Sequence, residues 1–386
     1  MEIRKWYDRD IETSLMGFGA MRLKTNENGE IDEELGFALF DKAYKNGVNY
    51  FDTAYPYTDK KNETFVGKAL KRYPRESFYL ATKLSLGMFK TREEALGSLD
   101  YQLKCLQTTY VDNYLLHALN KNSIQKIKDW DLINVLKQYK KEGKIHNIGF
   151  SFHDDYETFI EILNMYDWDF VQIQLNYMDT EIQQGIKGYY ELKKRKIPVV
   201  IMEPCKGGKL ASFNPSVSKY FLDFDNTKSI ASWAYRWVGS LDGVKVILSG
   251  MNAMDQLDDN LKTFNNFVPL NEEEQALIQK VSTELRKITK VGCTACKYCM
   301  PCPKGVDIPQ TFSIYNQYAM YLDKGGSKWV YSMLEDRNAT AKNCVKCRLC
   351  VSKCPQGIDI PTEFDNFYKD LDFLGWLLQL IKLMSY

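Results

Sequence analysis

The sequence predicts an α/β fold in which a (β/α)8 barrel precedes a small, mainly helical domain rich in cysteine. From residue 13 to about residue 285, short β-branched or aromatic runs alternate with longer amphipathic stretches, which is typical of βα units around a parallel sheet. Eight of the ten cysteines then lie in two short runs near the C-terminus, and a proline directly follows each run. A barrel needs about 250 residues, so the 386 residues leave room for a second domain.

Eight strand candidates divide the first part of the chain into βα units. They lie at 15–18, 49–52, 79–83, 111–116, 147–150, 170–175, 199–202 and 244–248. A helical stretch follows each one; the stretch 91–107 opens with a capping box formed by Thr91 and Glu94. Eight units in about 270 residues indicate a closed barrel, whose active site lies where the strands end.

The two cysteine runs predict two [4Fe-4S] clusters. In a CxxCxxCxxxCP run, three thiolates surround one cubane and the fourth cysteine commonly ligates the other cluster. The first run departs from this pattern, because two residues instead of three precede its last cysteine. We expect crossed ligation, with Cys293, Cys296, Cys299 and Cys354 on one cluster and Cys344, Cys347, Cys350 and Cys302 on the other.

A disulfide framework and a structural zinc site are the alternative interpretations of these cysteines. Disulfide frameworks are typical of small secreted chains, and we expect no secretory leader here. Zinc usually takes two separated CxxC pairs, whereas three successive two-residue gaps crowd the first run into one loop. Iron-sulfur clusters are therefore favoured, and one-electron transfer is expected.

The cysteine-rich part is also an internal repeat. The sequence KGVDIP at 304–309 recurs as QGIDIP at 356–361, directly after the second run. Each copy leads from a proline, a good helix-opening residue, into an apolar and aromatic stretch. This part resembles the α-helical ferredoxin domains of anaerobic redox enzymes, so the predicted fold is a TIM barrel followed by a ferredoxin-like di-cluster domain. We expect the domains at 1–285 and 286–366, followed by an amphipathic docking segment at 367–386.

Charge and hydropathy exclude other classes of protein. The 51 Lys and Arg residues nearly balance the 50 Asp and Glu residues, so we expect no nucleic-acid partner. The apolar stretch 373–384 is interrupted by Gln379 and Lys382 and is shorter than the ~20 residues of a membrane span. It is interpreted as a docking helix rather than a membrane anchor. A cytoplasmic, low-oxygen setting fits these features best.

Polar residues stand where three of the predicted strands end. Asp52 ends the second strand and precedes Tyr57 by five residues, Lys83 ends the third strand, and His117 follows the fourth. Here the chain resembles the aldo-keto reductase family, whose catalytic tetrad these residues match in order. The resemblance extends through Gly19, 148–151, Gln174 and 249–260, and it is greatest to the branch of the family with a ferredoxin appendage.

The chemistry of carbonyl reduction gives each of the four residues a role. Hydride transfer leaves an alkoxide that needs a proton, and a tyrosine of pKa about 10 is a poor partner unless its phenolate is stabilised. We expect Lys83 to lower the pKa of Tyr57 and Asp52 to keep Lys83 charged. We expect His117 to hydrogen-bond the substrate oxygen.

The resemblance implies a nicotinamide cofactor, although the pocket departs from the family pattern. Ser151 and Gln174 stand where the family holds the nicotinamide carboxamide, and Gly19 belongs to the same pocket. Phe152 follows Ser151 where the family usually has asparagine. Met202 replaces the aromatic residue on which the nicotinamide normally stacks.

Two loops are candidates for the cofactor phosphates. The segment where the family grips the 2'-phosphate of NADP contains three aspartates and no Lys or Arg, so a dianionic phosphate would lack a charged fork. We therefore expect NAD rather than NADP, with Ser249, Gly250, Met251, Asn252, Gln256 and Asn260 as cofactor residues. The loop after the seventh strand offers Lys206, Gly207, Gly208 and Lys209 at this fold's usual phosphate site. A solvated turn is the alternative interpretation of that loop.

Electron counting leaves three functions open. Nicotinamide delivers two electrons as hydride, whereas each cubane passes one, so FMN is a further candidate because flavins do both. The favoured function is reduction of a carbonyl, or oxidation of an alcohol, in which Tyr57 is the proton donor. The clusters transfer electrons, and ferredoxin or another redox protein is a candidate partner. The alternatives are a ferredoxin-linked, flavin-containing oxidoreductase acting on an organic substrate and an electron carrier with an inactive barrel.

Overall fold

A computed structural model shows the protein as two compact units and describes residues 1–293 and 295–371. The first unit comprises Met1–Ala211 and Lys228–Ala276. The second comprises Ser212–Thr227 together with the chain from residue 277. Residues 212–227, which fall inside the expected barrel domain, therefore cluster with the cysteine-rich part. Most of the docking segment predicted at 367–386 lies outside the described residues, which end at 371.

The first unit contains the predicted closed barrel of eight parallel strands. A short antiparallel hairpin of β1 (Ile3–Lys5) and β2 (Glu12–Ser14) precedes it. The barrel strands are β3 (Met16–Gly19), β4 (Tyr50–Asp52), β5 (Tyr79–Leu84), β6 (Val111–Leu119), β7 (Ile145–Phe152), β8 (Phe170–Gln174), β9 (Val199–Met202) and β10 (Val244–Ser249). They pair in chain order, and β10 also pairs with β3, which closes the sheet. The predicted barrel is confirmed.

Helices alternate with the strands and then dominate the second unit. In chain order they are α1 (Glu33–Lys45), α2 (Asn62–Leu70), α3 (Arg92–Cys105), α4 (Lys121–Asp129), α5 (Leu132–Lys141), α6 (Tyr156–Leu163), α7 (Gly185–Lys194), α8 (Pro215–Phe224), α9 (Ile230–Gly239), α10 (Met254–Asn265), α11 (Glu272–Lys287), α12 (Ile308–Tyr321), α13 (Lys324–Asp336), α14 (Leu349–Ser352) and α15 (Ile360–Leu371). The predicted capping box opens α3, with Thr91 and Glu94 each accepting from the other's backbone N–H.

Apolar packing closes the end of the barrel at which the strands begin. Trp6, between the two hairpin strands, is fully buried and packs against Tyr50 and Phe170, the first residues of β4 and β8. Its indole N–H donates to Thr13 Oγ1 over 2.9 Å. This packing requires glycine at position 17, because a Cβ there would lie only 2.6 Å from Val246 Cγ1 and would clash with it. The polar side chains that remain for chemistry therefore lie at the opposite end.

The second unit is mainly helical and has its own apolar core. The described residues from 277 onwards contain no β-strand. The helices predicted after the two prolines are present, since α12 and α15 begin one residue before them. Their inward side chains form one cluster with residues of the loops and α13: Val306, Ile308, Phe312, Tyr315, Tyr331, Leu334, Ile360, Phe364, Phe367 and Leu371.

Membrane crossing can be judged only for the described helices. Among them, none combines the length and the hydropathy that a span requires.

Candidate active site and iron-sulfur centres

Lys83 is a fully buried cation in β5. Its Nζ donates to Asp52 Oδ1 over 2.6 Å and to the Thr53 carbonyl over 2.7 Å. Burial disfavours the ammonium, but the Asp52 carboxylate and Tyr57 raise the pKa of Lys83 above its ordinary value. Burial likewise raises the pKa of Asp52, and Lys83 opposes that shift. A buried ammonium is tolerated only when it is paired and hydrogen-bonded, so the two side chains depend on each other.

Tyr57 lies beside this ion pair. Lys83 Nζ is 5.1 Å from the centre of the Tyr57 ring. Burial raises the pKa of Tyr57, while the charges of Lys83 and Arg22 lower it. Lys83 therefore acts in the predicted direction, but burial outweighs it and the net shift is upward. The consequence is a tyrosine that keeps its proton at neutral pH.

The turn that presents Tyr57 has an unusual backbone. Thr58, Asp59 and Lys60 have φ of 48°, 50° and 70°, a region that residues other than glycine seldom adopt. Asn62 braces the turn: its amide donates to the Ala20 carbonyl over 2.9 Å and to Thr58 Oγ1 over 3.3 Å. Such strain persists only where the surroundings enforce it and is common at functional sites.

His117 completes the predicted tetrad from β6. Its ring centre is 6.0 Å from that of Tyr57, and its Nδ1 is 2.6 Å from Ser85 Oγ. Burial, assisted by the charge of Lys83, lowers the pKa of His117 to about 3, so the imidazole is neutral at pH 7. We assign Ser85 as the donor to Nδ1, which places the hydrogen of the neutral ring on Nε2 and makes Nε2 a donor. The sequence analysis missed Ser85, although its place two residues after Lys83 was a signal.

A buried polar network supports Lys83 from behind β5. Gln102 Nε2 donates to Glu63 Oε1 over 2.7 Å and to the Lys83 carbonyl over 3.1 Å. Thr82 Oγ1 donates to the same Glu63 oxygen. Burial raises the pKa of Glu63. The network was not predicted, because it needs α2 and α3 to meet behind the strand.

Ser151 and Gln172 are neighbours on β7 and β8. The two residues are paired in the strand register, and Ser151 Oγ accepts from the Ala118 N–H over 2.7 Å. Gln172 Nε2 donates to Met202 Sδ over 3.4 Å, and Gln172 Oε1 is buried with no hydrogen-bond partner among the described residues. An orphaned buried acceptor suits the NH2 of a carboxamide. The sequence analysis missed Gln172.

Gln174, the glutamine that the sequence analysis selected, is engaged within the protein. Its Oε1 accepts from Gln183 over 3.0 Å, and its Nε2 donates to Asp179 over 3.3 Å. Asp179 also binds Lys206, whose Nζ lies 2.6 and 2.7 Å from the two carboxylate oxygens. The charge of Lys206 is thus balanced by a neighbour that the loop sequence did not reveal.

Arg22 lies against both predicted phosphate loops. A Cβ on Gly250 would be 2.9 Å from Arg22 Cγ, and one on Gly207 would be 3.9 Å from both Arg22 Nη2 and Glu203 Oε2. Gly207 and Gly208 have φ of 65° and 95°, which favours glycine at both positions. Arg22 is an exposed cation that the sequence analysis did not select. A guanidinium beside two glycine-containing loops forms a surface that fits a pyrophosphate.

Several residues selected after β10 hold their loop together. Ser249 Oγ is 2.7 Å from Tyr235 OH and accepts from Asn260 Nδ2 over 3.0 Å. The Asn252 N–H donates to Gln256 Oε1 over 3.0 Å. Asn252 itself remains exposed.

The eight clustered cysteines line two separate cavities in the second unit. One is lined by Cys293, Cys296, Cys299 and Cys354. The other is lined by Cys302, Cys344, Cys347 and Cys350. These are the two sets of four that crossed ligation predicts. Across 1–293 and 295–371, no three Cys, His, Asp or Glu side chains are arranged to hold a single metal ion; each set of thiols instead borders a cavity.

The two cysteine loops repeat each other in backbone conformation. Ala295 and Lys297 have φ of 56° and 64°, and the equivalent Lys346 and Arg348 have φ of 54° and 62°. The N–H two residues after each leading cysteine approaches its sulfur, over 3.5 Å to Cys293 and 3.4 Å to Cys344. N–H to sulfur contacts of this kind tune cluster potentials. The thiols, the apolar surroundings and these contacts fit [4Fe-4S] clusters.

Comparison with known proteins decides the family. The model of the aldo/keto reductase family matches residues 15–283, and that of the 4Fe-4S dicluster domain matches residues 292–358. The chain belongs to the aldo/keto reductase family. It is an oxidoreductase that carries a 4Fe-4S dicluster domain, as the sequence predicts.

Individual relatives cover mainly the barrel of this aldo/keto reductase. The chain is 25% identical to L-galactose dehydrogenase of Arabidopsis thaliana over 72% of its own length and 92% of that protein. It is 32% identical to probable aldo-keto reductase 1 of Glycine max, over 36% of this chain and 42% of that protein. Among solved structures, the holo form of aldo-keto reductase AKR11C1 from Bacillus halodurans is 25% identical with a TM-score of 0.61, covering 73% of this chain and 96% of that one.

The low pKa of His117 predicts a pH dependence of stability. Its folded pKa of about 3 lies below the ordinary 6.5, so between these values the unfolded chain binds more protons and stability falls as pH decreases. Each proton contributes up to about 1.4 kcal/mol per pH unit. Urea unfolding of His117→Asn should show a shallower loss of stability than wild type between pH 6.5 and 4.5. The two profiles should be parallel above pH 7.5, and equal slopes below pH 6.5 would contradict the burial argument.

Paired cysteine variants test the crossed ligation. Cys296→Ala/Cys354→Ala removes two thiols from one cavity, so anaerobically purified protein should retain about four iron atoms per chain. Cys347→Ala/Cys354→Ala removes one thiol from each cavity. This variant should retain fewer than four iron atoms per chain, because both clusters lose a ligand. Iron and sulfide analysis with electron paramagnetic resonance measures both. If the ligation were uncrossed, Cys347→Ala/Cys354→Ala would retain more iron than Cys296→Ala/Cys354→Ala.

Proposed function

We propose that this aldo/keto reductase reduces a carbonyl, or oxidises an alcohol in reverse, with Tyr57 as the proton donor. The observation that carries the proposal is the buried Asp52 and Lys83 pair beside the Tyr57 ring, with Lys83 Nζ 5.1 Å from the ring centre. A buried pair of this kind is costly to maintain, and its position at the C-terminal ends of barrel strands is that of an active site.

Each side chain has one task in the reduction. A bound nicotinamide supplies the hydride. The Tyr57 hydroxyl gives its proton to the carbonyl oxygen as negative charge develops there, and Lys83 stabilises the phenolate that remains. The neutral His117 donates from Nε2 to the same oxygen and so orients the substrate.

The protonation states match the reduction direction. Burial raises the pKa of Tyr57, so the acid form predominates at neutral pH. The same burial makes the phenolate product unfavourable without Lys83, whose own pKa is raised above its ordinary value by Asp52 and Tyr57 despite its burial. Asp52 therefore acts through Lys83 rather than on the substrate.

Ser151, Gln172 and Arg22 are the residues that we propose for the nicotinamide cofactor, together with Gly19 and the predicted loop residues. Gln172 Oε1 is free to accept from the carboxamide, and Arg22 lies against the two glycine-containing loops. No Lys or Arg lies within 249–260, and Arg22, which lies against Gly250, is the cation that we assign to the pyrophosphate. We therefore propose NAD rather than NADP. FMN, the candidate from electron counting, stays a prediction.

We propose that the two cysteine-lined cavities hold [4Fe-4S] clusters that pass single electrons during turnover. Four thiols border each cavity, and such cubanes transfer one electron at a time. The substrate class is a small organic carbonyl or alcohol, and a redox protein is the partner that such clusters imply.

Tyr57→Phe tests the proton donor. The variant keeps the ring and removes only the hydroxyl, so kcat for reduction should fall about 10²–10⁴-fold while KM changes little. Steady-state rates with NADH and a panel of aldehydes and ketones measure the effect. Tyr79→Phe, at the first residue of β5 and thus at the other end of the barrel, is the matched control. Turnover by Tyr57→Phe at the wild-type rate would remove the proposed role.

Coenzyme choice is tested at Asn252. The wild type should have the higher kcat/KM with NADH, because residues 249–260 contribute no Lys or Arg to the 2'-phosphate. Asn252→Arg places a guanidinium in that exposed position and should raise kcat/KM for NADPH by roughly tenfold, equivalent to one charge-assisted hydrogen bond. Asn252→Gln is the uncharged control. A wild-type preference for NADPH would contradict the assignment.

A further inference from the structure

The two chain segments that carry the clustered cysteines are rich in positive charge. Residues 286–306 and 337–358 contain no Asp or Glu, although the whole chain has 50 acidic and 51 basic residues. Their ten cations are Arg286, Lys287, Lys290, Lys297, Lys304, Arg337, Lys342, Lys346, Arg348 and Lys353. The near neutrality of the protein therefore conceals a basic segment around each cavity.

The two cysteine loops differ in charge despite their equivalent backbones. The loop from 344 to 354, here called the second loop, carries Lys346, Arg348 and Lys353. The corresponding loop from 293 to 302 carries only Lys297. The side chains of Lys346 and Arg348 are 60% and 58% exposed, and their ion pairs with Asp365 and Asp359 are also at the surface. Exposed pairs of this kind are weak, so both cations are available to carboxylates of a partner.

The second loop also exposes apolar side chains between these cations. Val345 is 59% and Leu349 55% exposed. Both adjoin cysteines of the second cavity, Cys344 and Cys350, in the sequence. Small apolar contacts surrounded by charge are typical of a protein interaction surface.

We propose that the second loop is the docking face for an acidic one-electron carrier protein, which exchanges electrons with the cluster of the second cavity. The proposal rests on the cluster part of the proposed function and names the partner of that site. Cations steer an acidic partner to the loop and make association depend on ionic strength, while Val345 and Leu349 supply the contact. Short-lived electron-transfer complexes need only such small interfaces.

Other occupants fit this surface less well. A second copy of the chain would bring two basic loops together, and like charges repel. Nucleic acid would match the cations, but single strands are held by aromatic stacking, and the exposed apolar residues of the second loop are aliphatic. A carrier with surface carboxylates around its redox centre satisfies both the charge and the apolar contact.

The electron transfer balances without a further reactant. A carrier such as flavodoxin in its anionic hydroquinone form loses one electron and becomes the neutral semiquinone. The oxidised [4Fe-4S]2+ cluster gains that electron and becomes [4Fe-4S]1+. No proton or leaving group is required.

Anaerobic stopped-flow mixing tests the docking face in the full-length, cluster-loaded protein. The probe is an acidic flavodoxin reduced to its hydroquinone, and the semiquinone that forms is followed by absorbance. Lys346→Glu and Arg348→Glu should each slow the second-order reaction at an ionic strength of about 0.1 M by about fivefold or more. Lys297→Glu makes the same charge change in the other loop and should alter the rate by less than about twofold, because steering is local at a Debye length of about 10 Å. Lys346→Gln should have an intermediate effect.

Separate readouts distinguish this proposal from the proposed function. Iron content shows that each variant keeps its clusters, and reduction by the small cation radical of methyl viologen should not be slowed in Lys346→Glu. NADH-dependent carbonyl turnover that depends on Tyr57 tests the barrel alone. An equal loss in Lys297→Glu and Lys346→Glu, or a wild-type rate that ionic strength does not change, would overturn the docking face. Tight binding of duplex DNA with no reaction with flavodoxin would also overturn it.

Discussion

The buried charge of Lys83 is the constraint on which the rest of the barrel site depends. An ammonium with no solvent exposure needs a carboxylate and hydrogen bonds, and Asp52 and the Thr53 carbonyl provide them at 2.6 and 2.7 Å. This requirement fixes the ends of β4 and β5 relative to each other. It also places a positive charge beside Tyr57, whose phenolate would otherwise be too costly to form in a buried position.

Three sets of supporting residues position the predicted tetrad. Asn62 braces the strained turn that carries Tyr57, the Glu63 and Gln102 network holds the backbone of Lys83, and Ser85 orients His117. Gln102 and Ser85 contact a tetrad residue directly, whereas Asn62 contacts Thr58, the residue that follows Tyr57. The proposed site therefore consists of two layers of side chains, of which only the inner layer has a recognisable sequence pattern.

The structure of the second unit depends on a different requirement. Its apolar core has to position eight thiols around two cavities. The repeated backbone of the two cysteine loops, with paired residues at positive φ, directs each leading sulfur toward an N–H. The loops then differ in surface charge while they share this internal geometry. The internal conformation is the one that the proposed clusters require, whereas the exposed residues between the cysteines differ between the two loops and are those that we propose for partner recognition.

The sequence by itself determined the eight strands, and it predicted the tetrad and the two sets of four cysteines from their spacing. Periodicity and fixed spacing are local properties that folding preserves. Only the tertiary structure decided that Gln172 lies beside Ser151, that Asp179 neutralises Lys206 and that Arg22 approaches both glycine-containing loops. It also decided that burial outweighs Lys83 at Tyr57. These outcomes depend on distances between residues far apart in the chain and on exclusion of water, and neither is encoded in a local pattern.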